Sequence, residues 1–515
     1  MSKTTTIDAV TEEFAQRHPH DTSNILISRR QSTWYVALAI AFVCGLIYRW
    51  DVTLCVVNFF FAFLYFCIIV FRVATVVHSV VGHGETRVSE EQMAGLKPSE
   101  LPVFTILIPL YREANVAEKI IRNLNKMDYP QKKLDIKLLL EEDDQMTIDA
   151  VAAVDLPKCY DVIVVPDALP KTKPKACNHG LKRAKGDICV IYDAEDNPDP
   201  DQLKKVAWAF KHAPDDVACI QAKLNFYNPR QNLLTRWFTI EYSTTFDLFL
   251  PGLQSMNIPM PLGGTSNHFR TRALQEIGGW DPFNVTEDCD LGVRLYKMGY
   301  RTNMIDSTTW EEANPKLWNW VRQRSRWVKG FFQTHLTHMR HPMRTVRALG
   351  IWGTFGFLVS VGASSLMMVL NVPIWIMGGT YFYLAAKAMS NGYGLWEILK
   401  GPRDWLPGSN VWPMIYYGPK EDPMWSSLSI FFFVIACILL LANFVFVAIH
   451  CLACVKRKFY YLLPMALLMP IYWVLISIGA WKGFLQLFTN PFYWEKTIHG
   501  LTTATGEPPP DASAA

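Results

Sequence analysis

Acidic residues, one glutamate and two clusters, sit just beyond three short apolar runs in this 515-residue chain. Glu113 follows Phe104-Thr105-Ile106-Leu107-Ile108 by way of Pro109-Leu110-Tyr111-Arg112. Glu141-Glu142-Asp143-Asp144 follows Ile136-Lys137-Leu138-Leu139-Leu140, and Asp193-Ala194-Glu195-Asp196 follows Ile188-Cys189-Val190-Ile191-Tyr192. Any one cluster could simply start a helix, because Asp and Glu favour helix N-termini. Their joint convergence needs another account, since neighbouring carboxylates repel one another unless a cation or ligand compensates. Oxygen-rich acidic sites suit Mg²⁺ or Mn²⁺, which commonly bridges to substrate phosphates.

Basic and aromatic groups follow in order. Lys171, Lys173 and Lys175 stand before Asn178 at a predicted helix start and could hold a phosphate, although a solvated loop explains them equally cheaply. Gly263-Gly264-Thr265-Ser266-Asn267 marks a close backbone approach. Thr286-Glu287-Asp288 either carries chemistry or caps a helix whose Leu291, Leu295 and Met298 face inward. Gln323-Arg324-Ser325-Arg326-Trp327 joins Trp318 and Trp320, where arginine can grip a diphosphate and tryptophan a sugar face. An amphipathic helix at a membrane surface fits the wider segment as well.

The elements that must position these groups alternate. Apolar runs at 104–108, 136–140, 161–165 and 188–192 read as buried strands, and 117–127 and 178–184 carry helical spacing. Strand–helix alternation predicts an α/β fold with a doubly wound, mostly parallel sheet. Ligands in such sheets bind beyond the carboxyl ends of the strands, where the acidic clusters lie. The polar stretch 78–102 reads as a linker.

Charged residues make up 19% of the chain against about 25% in soluble proteins, and 50% is hydrophobic. Runs at 34–48, 54–71, 349–388, 428–455 and 459–488 approach the ~20 residues that cross a bilayer. The first two form a tight hairpin around Arg49 and Asp51. Arg29 and Arg30, then Arg72, Arg340, Arg344 and Arg347, put the N-terminus and the polar middle in the cytoplasm by the positive-inside bias. In the C-terminal third, 349–388 crosses either once or twice, turning near Asn371-Val372-Pro373. The last run, interrupted by Pro464 and Pro470, spans, re-enters or lies in the interface. The net charge of +4 implies no nucleic-acid partner, and the 11 scattered cysteines form no disulfide framework.

On these motifs the chain resembles the membrane-embedded inverting glycosyltransferases of family 2, the cellulose, chitin and hyaluronan synthase group. Glu141-Glu142-Asp143 matches the family's D-D-G, Asp193-Ala194-Glu195 its D-x-D, Thr286-Glu287-Asp288 its T-E-D and Gln323 to Trp327 its Q-x-x-R-W. Glutamate replaces aspartate in the first two, which keeps the charge and adds one methylene of reach. The resemblance implies a nucleotide-diphospho-sugar transferase sheet inserted between transmembrane helices. It implies Tyr111, Glu113, Glu142, Lys175, Asn178 and Asp193 around the sugar nucleotide, a UDP-sugar, and Asp193 and Glu195 on Mg²⁺ or Mn²⁺. Asp288 would be the general base beside Glu287, with Gln323, Arg326 and Trp327 at the acceptor and diphosphate. The segment 491–500 is similar to a mobile loop closing over the donor, with Trp494, Lys496 and Thr497 in it.

The implied layout is a cytosolic segment 1–32, two transmembrane helices in 33–77 and a cytosolic catalytic domain 78–345 ending in interfacial helices. A membrane region 346–488 of three or four elements and a tail 489–515 follow. The implied activity is extension and export of a β-linked polysaccharide at an inner or plasma membrane, with a growing glycan or lipid as acceptor and an accessory export subunit as partner. The alternatives are a glycolipid-forming enzyme, or a non-catalytic transporter with a degenerate sugar-nucleotide domain. The sugar and its linkage stay open.

Overall fold

The structure, a computed structural model, describes residues 7–82, 84–114, 117–395, 423–497 and 500–501. Its eight strands are β1 Phe104–Leu110, β2 Leu134–Glu141, β3 Tyr160–Val165, β4 Ile188–Ile191, β5 Asn197–Pro198, β6 Val217–Phe226, β7 Asn267–Arg270 and β8 Arg301–Glu311. They form one sheet in the order β3-β2-β1-β4-β7-β6-β8-β5. The first four strands pair in parallel, as do β6 and β8. β7 runs against β4 and β6, and β5 against β8, so the sheet is mixed. Because β7 is reversed, its N-terminal end lies at the same edge as the carboxyl ends of β1, β2, β4, β6 and β8.

Side chains alternate across the pleat, and this divides the core into two layers. Phe104, Ile106, Ile108 and Val190 pack under the helices Ala117–Leu124 and Gln202–His212. Leu107, Cys189 and Ile191 face the other way, into a cluster that includes Trp237, Trp320, Met367 and Tyr472. The second layer is therefore continuous with the apolar helices, which fixes the sheet edge close to them. Helix Lys173–Leu181 starts five residues earlier than its spacing predicted, and Met298 is exposed rather than inward. The expected linker is tied down: Glu85 pairs with buried Lys223 at 2.7 Å, and Thr86 bridges to Ile305.

Five helices are long and apolar enough to cross a membrane: Arg29–Trp50, Val52–Val81, Pro342–Ile376, Cys437–Lys456 and Met469–Thr489. The first two are divided at Arg49, which has non-helical φ and ψ. A Cβ on Gly45 would lie 2.6 Å from Thr53 Oγ1. Eight residues of straight helix span about 12 Å, so the chain doubles back there. Helix Ser364–Ser390 is unbroken at Pro373, so of the two alternatives for 349–388 it lacks the turn near Asn371 that a double crossing needs. Lys456 Nζ donates to the Asp247 carbonyl at 2.6 Å and Arg457 pairs with the Asp247 carboxylate at 2.5 Å. Helix Met469–Thr489 lies along Leu317–His338: Gly479 packs on Arg324, Gly483 on the Ser325 backbone, and Phe484 on Phe332.

Candidate active site

The carboxyl ends of β1 and β2 form one flank of a cleft. Arg112 takes a positive φ of 55°, and its N–H donates to the Asp144 carboxylate, which also caps helix Gln145–Ala152. This turn brings Tyr111 beside Asp143, with the hydroxyl 3.4 Å from Oδ2, and Glu113 beside Lys496, at 3.2 Å. Lys171 bridges Asp143 and Asp167 at 2.5 and 2.6 Å, and Glu142 Oε2 accepts the Asp167 N–H at 3.0 Å.

Two expected ligand contacts are taken up by the fold instead. Lys175 is fully buried and donates to Glu141 Oε2 at 2.8 Å and to the carbonyls of Pro166 and Ala168 at 3.1 Å. All three ammonium hydrogens are thereby used, so it has none left for a phosphate. Asn178 is buried too, and its amide brackets the Trp280 backbone at 2.7 and 3.0 Å.

Lys173 reaches the cleft where Lys175 was expected. Its Nζ lies 2.5 Å from Asp193 Oδ1 and donates to the Gly264 carbonyl at 2.7 Å. A Cβ on Gly264 would come 3.4 Å from Asp288 Oδ2. Asp193, Lys173, Gly264 and Asp288 therefore form one line of contacts across the strand ends. Burial works against the Lys173 ammonium, but Asp193 and Glu287 outweigh it and raise its pKa. Burial and the charge of Asp288 push Glu287 up to about 8, against the pull of Lys173. Burial raises Asp288 as well, while the Cys289 N–H, Lys173 and Arg326 hold it back.

The cleft carries more acid than the motifs suggested. Asp196 is fully buried; Oδ2 accepts the Asp193 N–H at 2.8 Å and the Thr265 hydroxyl, while Oδ1 has no hydrogen-bond partner. Burial, then the charges of Asp193 and Glu195, push its pKa well up. Glu311, at the end of β8, is raised by burial and by Asp196, Glu195 and Asp193. Among the described residues no group of three His, Cys, Asp or Glu is placed to cage an ion. A two-carboxylate set amid surplus acid, with an orphaned buried oxygen, fits a hard divalent ion whose remaining positions come from substrate phosphate. Asp193 and Glu195 are the residues that would hold it.

Helix Leu317–His338 forms the far wall, and residues two apart on it face opposite ways. Arg324 turns away from the cleft to a two-oxygen pair with Glu241 and to Tyr472. Arg326 turns toward it, with Nη1 3.5 Å from the Val285 carbonyl and its guanidinium 4.5 Å over the Trp494 ring. Trp327 is half-buried, packed on Phe238 and Tyr242 with Arg324 over its ring. Gln323 is half-buried, with Oε1 lacking a hydrogen-bond partner.

The C-terminal segment crosses this wall. Lys329 donates to the Tyr493 carbonyl at 2.7 Å, and Glu495 is held by Lys482 at 2.5 Å and by Gln486 and Ser325 at 3.1 Å. Lys496 then reaches Glu113, Thr497 is buried, and the Gly500 N–H meets Glu312. Ile498 and His499 lie outside the described residues. Sequence reasoning chose Lys175 over Lys173 for the donor, named Asp196 only as part of its acidic run, and passed over Glu311. The signal for Glu311 was the Glu311-Glu312 pair closing the strand-prone stretch Thr308-Thr309-Trp310.

Residues 102–330 match the family model described as "Glycosyltransferase like family 2". The chain is 28% identical over 293 residues to "Probable glycosyltransferase YdaM" of Bacillus subtilis (strain 168), covering 55% of this chain and 68% of that protein. It is 27% identical over 237 residues to "Glucomannan 4-beta-mannosyltransferase 7" of Arabidopsis thaliana, covering 44% of this chain and 42% of that protein. The chain thus spans less than half the length of this plant relative. Among solved structures, "Mannosyltransferase PcManGT from Pyrobaculum calidifontis in complex with GDP-Man and Mn2+" aligns with 61% of this chain and 92% of its own, at 19% identity and a TM-score of 0.36. Residues 102–330 are a glycosyltransferase family 2 domain with the nucleotide-sugar transferase type of fold, flanked by apolar helices.

Proposed function

We propose that the chain is an inverting, metal-dependent membrane hexosyltransferase that lengthens a β-linked glycan from a nucleotide-diphospho-sugar. The line of contacts from Asp193 through Lys173 and Gly264 to Asp288 carries this reading, because it sets a diphosphate-binding edge beside a carboxylate base. The donor lies along the strand ends, with Tyr111, Glu113 and Glu142 around the base. Mg²⁺ or Mn²⁺ on Asp193 and Glu195 would supply neutralisation of the diphosphate charge. Lys173 and Arg326 add fixed positive charge where the leaving group gains negative charge.

Asp288 takes the proton from an acceptor hydroxyl as that oxygen bonds to the anomeric carbon and the bond to the nucleoside diphosphate breaks. Its raised pKa makes it a stronger base than an ordinary aspartate, and Glu287, held neutral beside it, spares it a second charge. Trp327 and Gln323 line the acceptor side. The names of the plant relatives favour mannose among the candidate hexoses, so the donor nucleotide is tested with UDP- and GDP-sugars alike.

Contacts with the catalytic domain support four membrane crossings. The N-terminal segment, Lys456 and Arg457, and the segment after Asn490 all touch that domain, so they share its side, the cytoplasm by the positive-inside bias. Met469–Thr489 lies along a domain helix, which suits an interfacial element. A cavity of about 220 Å³ among the apolar helices, lined by Arg72, Glu241, Met367, His450 and Trp473, meets the cleft wall at the Arg324–Glu241 pair. It suits an exit route for glycan. Its largely apolar lining also favours a second reading, single transfer to a lipid.

Purified Asp288→Asn should lose transfer by at least about a thousandfold while keeping nucleotide affinity. Near-normal transfer would overturn the assignment. Product sizing separates the two readings: a ladder supports polymer extension and one lipid-linked sugar supports the other.

A further inference from the structure

The stretch just ahead of the first apolar helix is wedged against the loop that carries the proposed base. The Ser23 N–H donates to Asp281 Oδ2 at 2.6 Å, and the Thr22 hydroxyl to Asp281 Oδ1 at 3.3 Å. The Ser23 hydroxyl accepts from Asn284 Nδ2 at 3.2 Å and pairs with the Thr337 hydroxyl at 3.0 Å. Asn284 Oδ1 in turn accepts the N–H of Thr286 at 2.9 Å, and Thr286 directly precedes Glu287 and Asp288. Thr22, Ser23, Asp281, Asn284 and Thr337 are all buried, so water does not replace a bond lost here.

The wedge is itself anchored. Arg340 donates to the carbonyls of Thr22 and Ile25, and Lys297 pairs with Asp21 at 2.9 Å. Gln31, in the first turn of the apolar helix, donates to the Leu336 carbonyl at 2.8 Å. A peptide that merely filled a groove would need none of these polar bonds to a loop about 258 positions away. Their direction matters: Ser23 and Asp281 set the Asn284 turn, and that turn sets where the following helix begins.

We propose that Ser23 and Asp281 are positioning residues for sugar transfer, clamping the Asn284–Thr286 turn so that Asp288 faces the acceptor; this rests on reading Asp288 as the base. The first apolar helix then reports its placement to the base through eight residues of chain. A displacement on the order of 1 Å at the base is enough to cost about 100-fold in rate.

The test uses the full-length protein in nanodiscs, with Ser23→Ala, Asp281→Asn, Asp288→Asn and, as a control on the same segment, exposed Glu12→Gln. The readouts are kcat, KM for the sugar nucleotide, nucleotide affinity by titration, and Tm. The expected result is kcat lowered about 10- to 100-fold in Ser23→Ala and Asp281→Asn, with KM and nucleotide affinity within twofold of wild type and Glu12→Gln unchanged. Wild-type kcat in both variants overturns the clamp. So does a parallel loss of kcat, nucleotide affinity and Tm, which marks general destabilisation. Transfer surviving in Asp288→Asn overturns the parent reading instead, whatever the clamp variants do.

Discussion

Glu287 offers a test of the site's electrostatics that does not depend on turnover. Burial and the adjacent Asp288 charge lift its pKa from an ordinary value near 4.5 to about 8. At ~1.4 kcal/mol per unit, that rise corresponds to a ceiling of about 5 kcal/mol of proton-linked stability. Glu287 and Asp288 titrate as a pair, so the share expressed at Glu287 alone falls below that ceiling. The sign follows from which state holds the proton more tightly. The folded state does, so the contribution is fully present below pH 4.5 and is lost as the pH climbs through 8.

Glu287→Gln replaces the protonated side chain with a neutral group of the same shape. Thermal unfolding of both proteins, with chelator and without nucleotide, is followed from pH 5 to pH 9. The two melting curves should lie closest at pH 5, draw apart steadily as the pH rises toward 8 and stay apart above it, with the variant melting several degrees higher at pH 9. A Tm difference that is constant across this range would refute the reasoning, because Glu287 would then carry no excess affinity for its proton. A wild type more stable than the variant at pH 9 would refute it more strongly, by showing that Lys173 overcomes both burial and Asp288.

Gly330→Ala should disturb transfer more than folding: its Cβ would come 2.5 and 2.8 Å from Thr286 Cγ2 and Cβ, at a cost of about 1–3 kcal/mol. A fall in kcat with nucleotide affinity retained, read by parallel turnover and titration, is the expected outcome. Lys175→Met and Lys173→Met should part company. The first leaves buried Glu141 unpaired and costs about 3–5 kcal/mol, read as a large drop in Tm. The second should leave Tm much closer to wild type while lowering kcat/KM by about tenfold or more in donor-dependent turnover, because its ammonium faces Asp193.

The first four strands were legible because each is an apolar run ended by an acid or a turn. β6 was not, although every residue in it is buried. Gln221, Lys223 and Asn225 interrupt its hydropathy, and each is satisfied from afar: Gln221 by the Thr265 carbonyl, Lys223 by Glu85 and Asp306, Asn225 by Ser243. A local pattern cannot register a partner that arrives about 80 residues later. The same limit governs the lysines. Lys173 and Lys175 are two positions apart at a helix start, which places them about 200° apart around the axis. Which one faces the cleft depends on where the helix begins, and the structure begins it at Lys173. Arg324 and Arg326 differ for the same reason, one held by Glu241 and the other beside Val285.

The two ends of the described chain meet at the loop that carries Asp288. From the N-terminal side, Ser23 and Thr22 grip Asp281 and Asn284. From the C-terminal side, Phe492 packs edge-on against Phe283, and Gln333 joins the two by hydrogen bonds: its Oε1 accepts the Val285 N–H at 3.1 Å while its Nε2 donates to the Pro491 carbonyl at 2.9 Å. Gln333 is fully buried, so both bonds constrain a single amide plane. Lifting the segment after Asn490 would remove one acceptor from that amide, at a net cost on the order of 1 kcal/mol, and leave the other end free to turn. Val285 would then keep its N–H bond only with a looser partner, one residue from Thr286. Covering the cleft and fixing the base are in this way parts of one hydrogen-bonded arrangement: the same segment that places Trp494 over Arg326 and Lys496 against Glu113 also stiffens the turn ahead of Asp288.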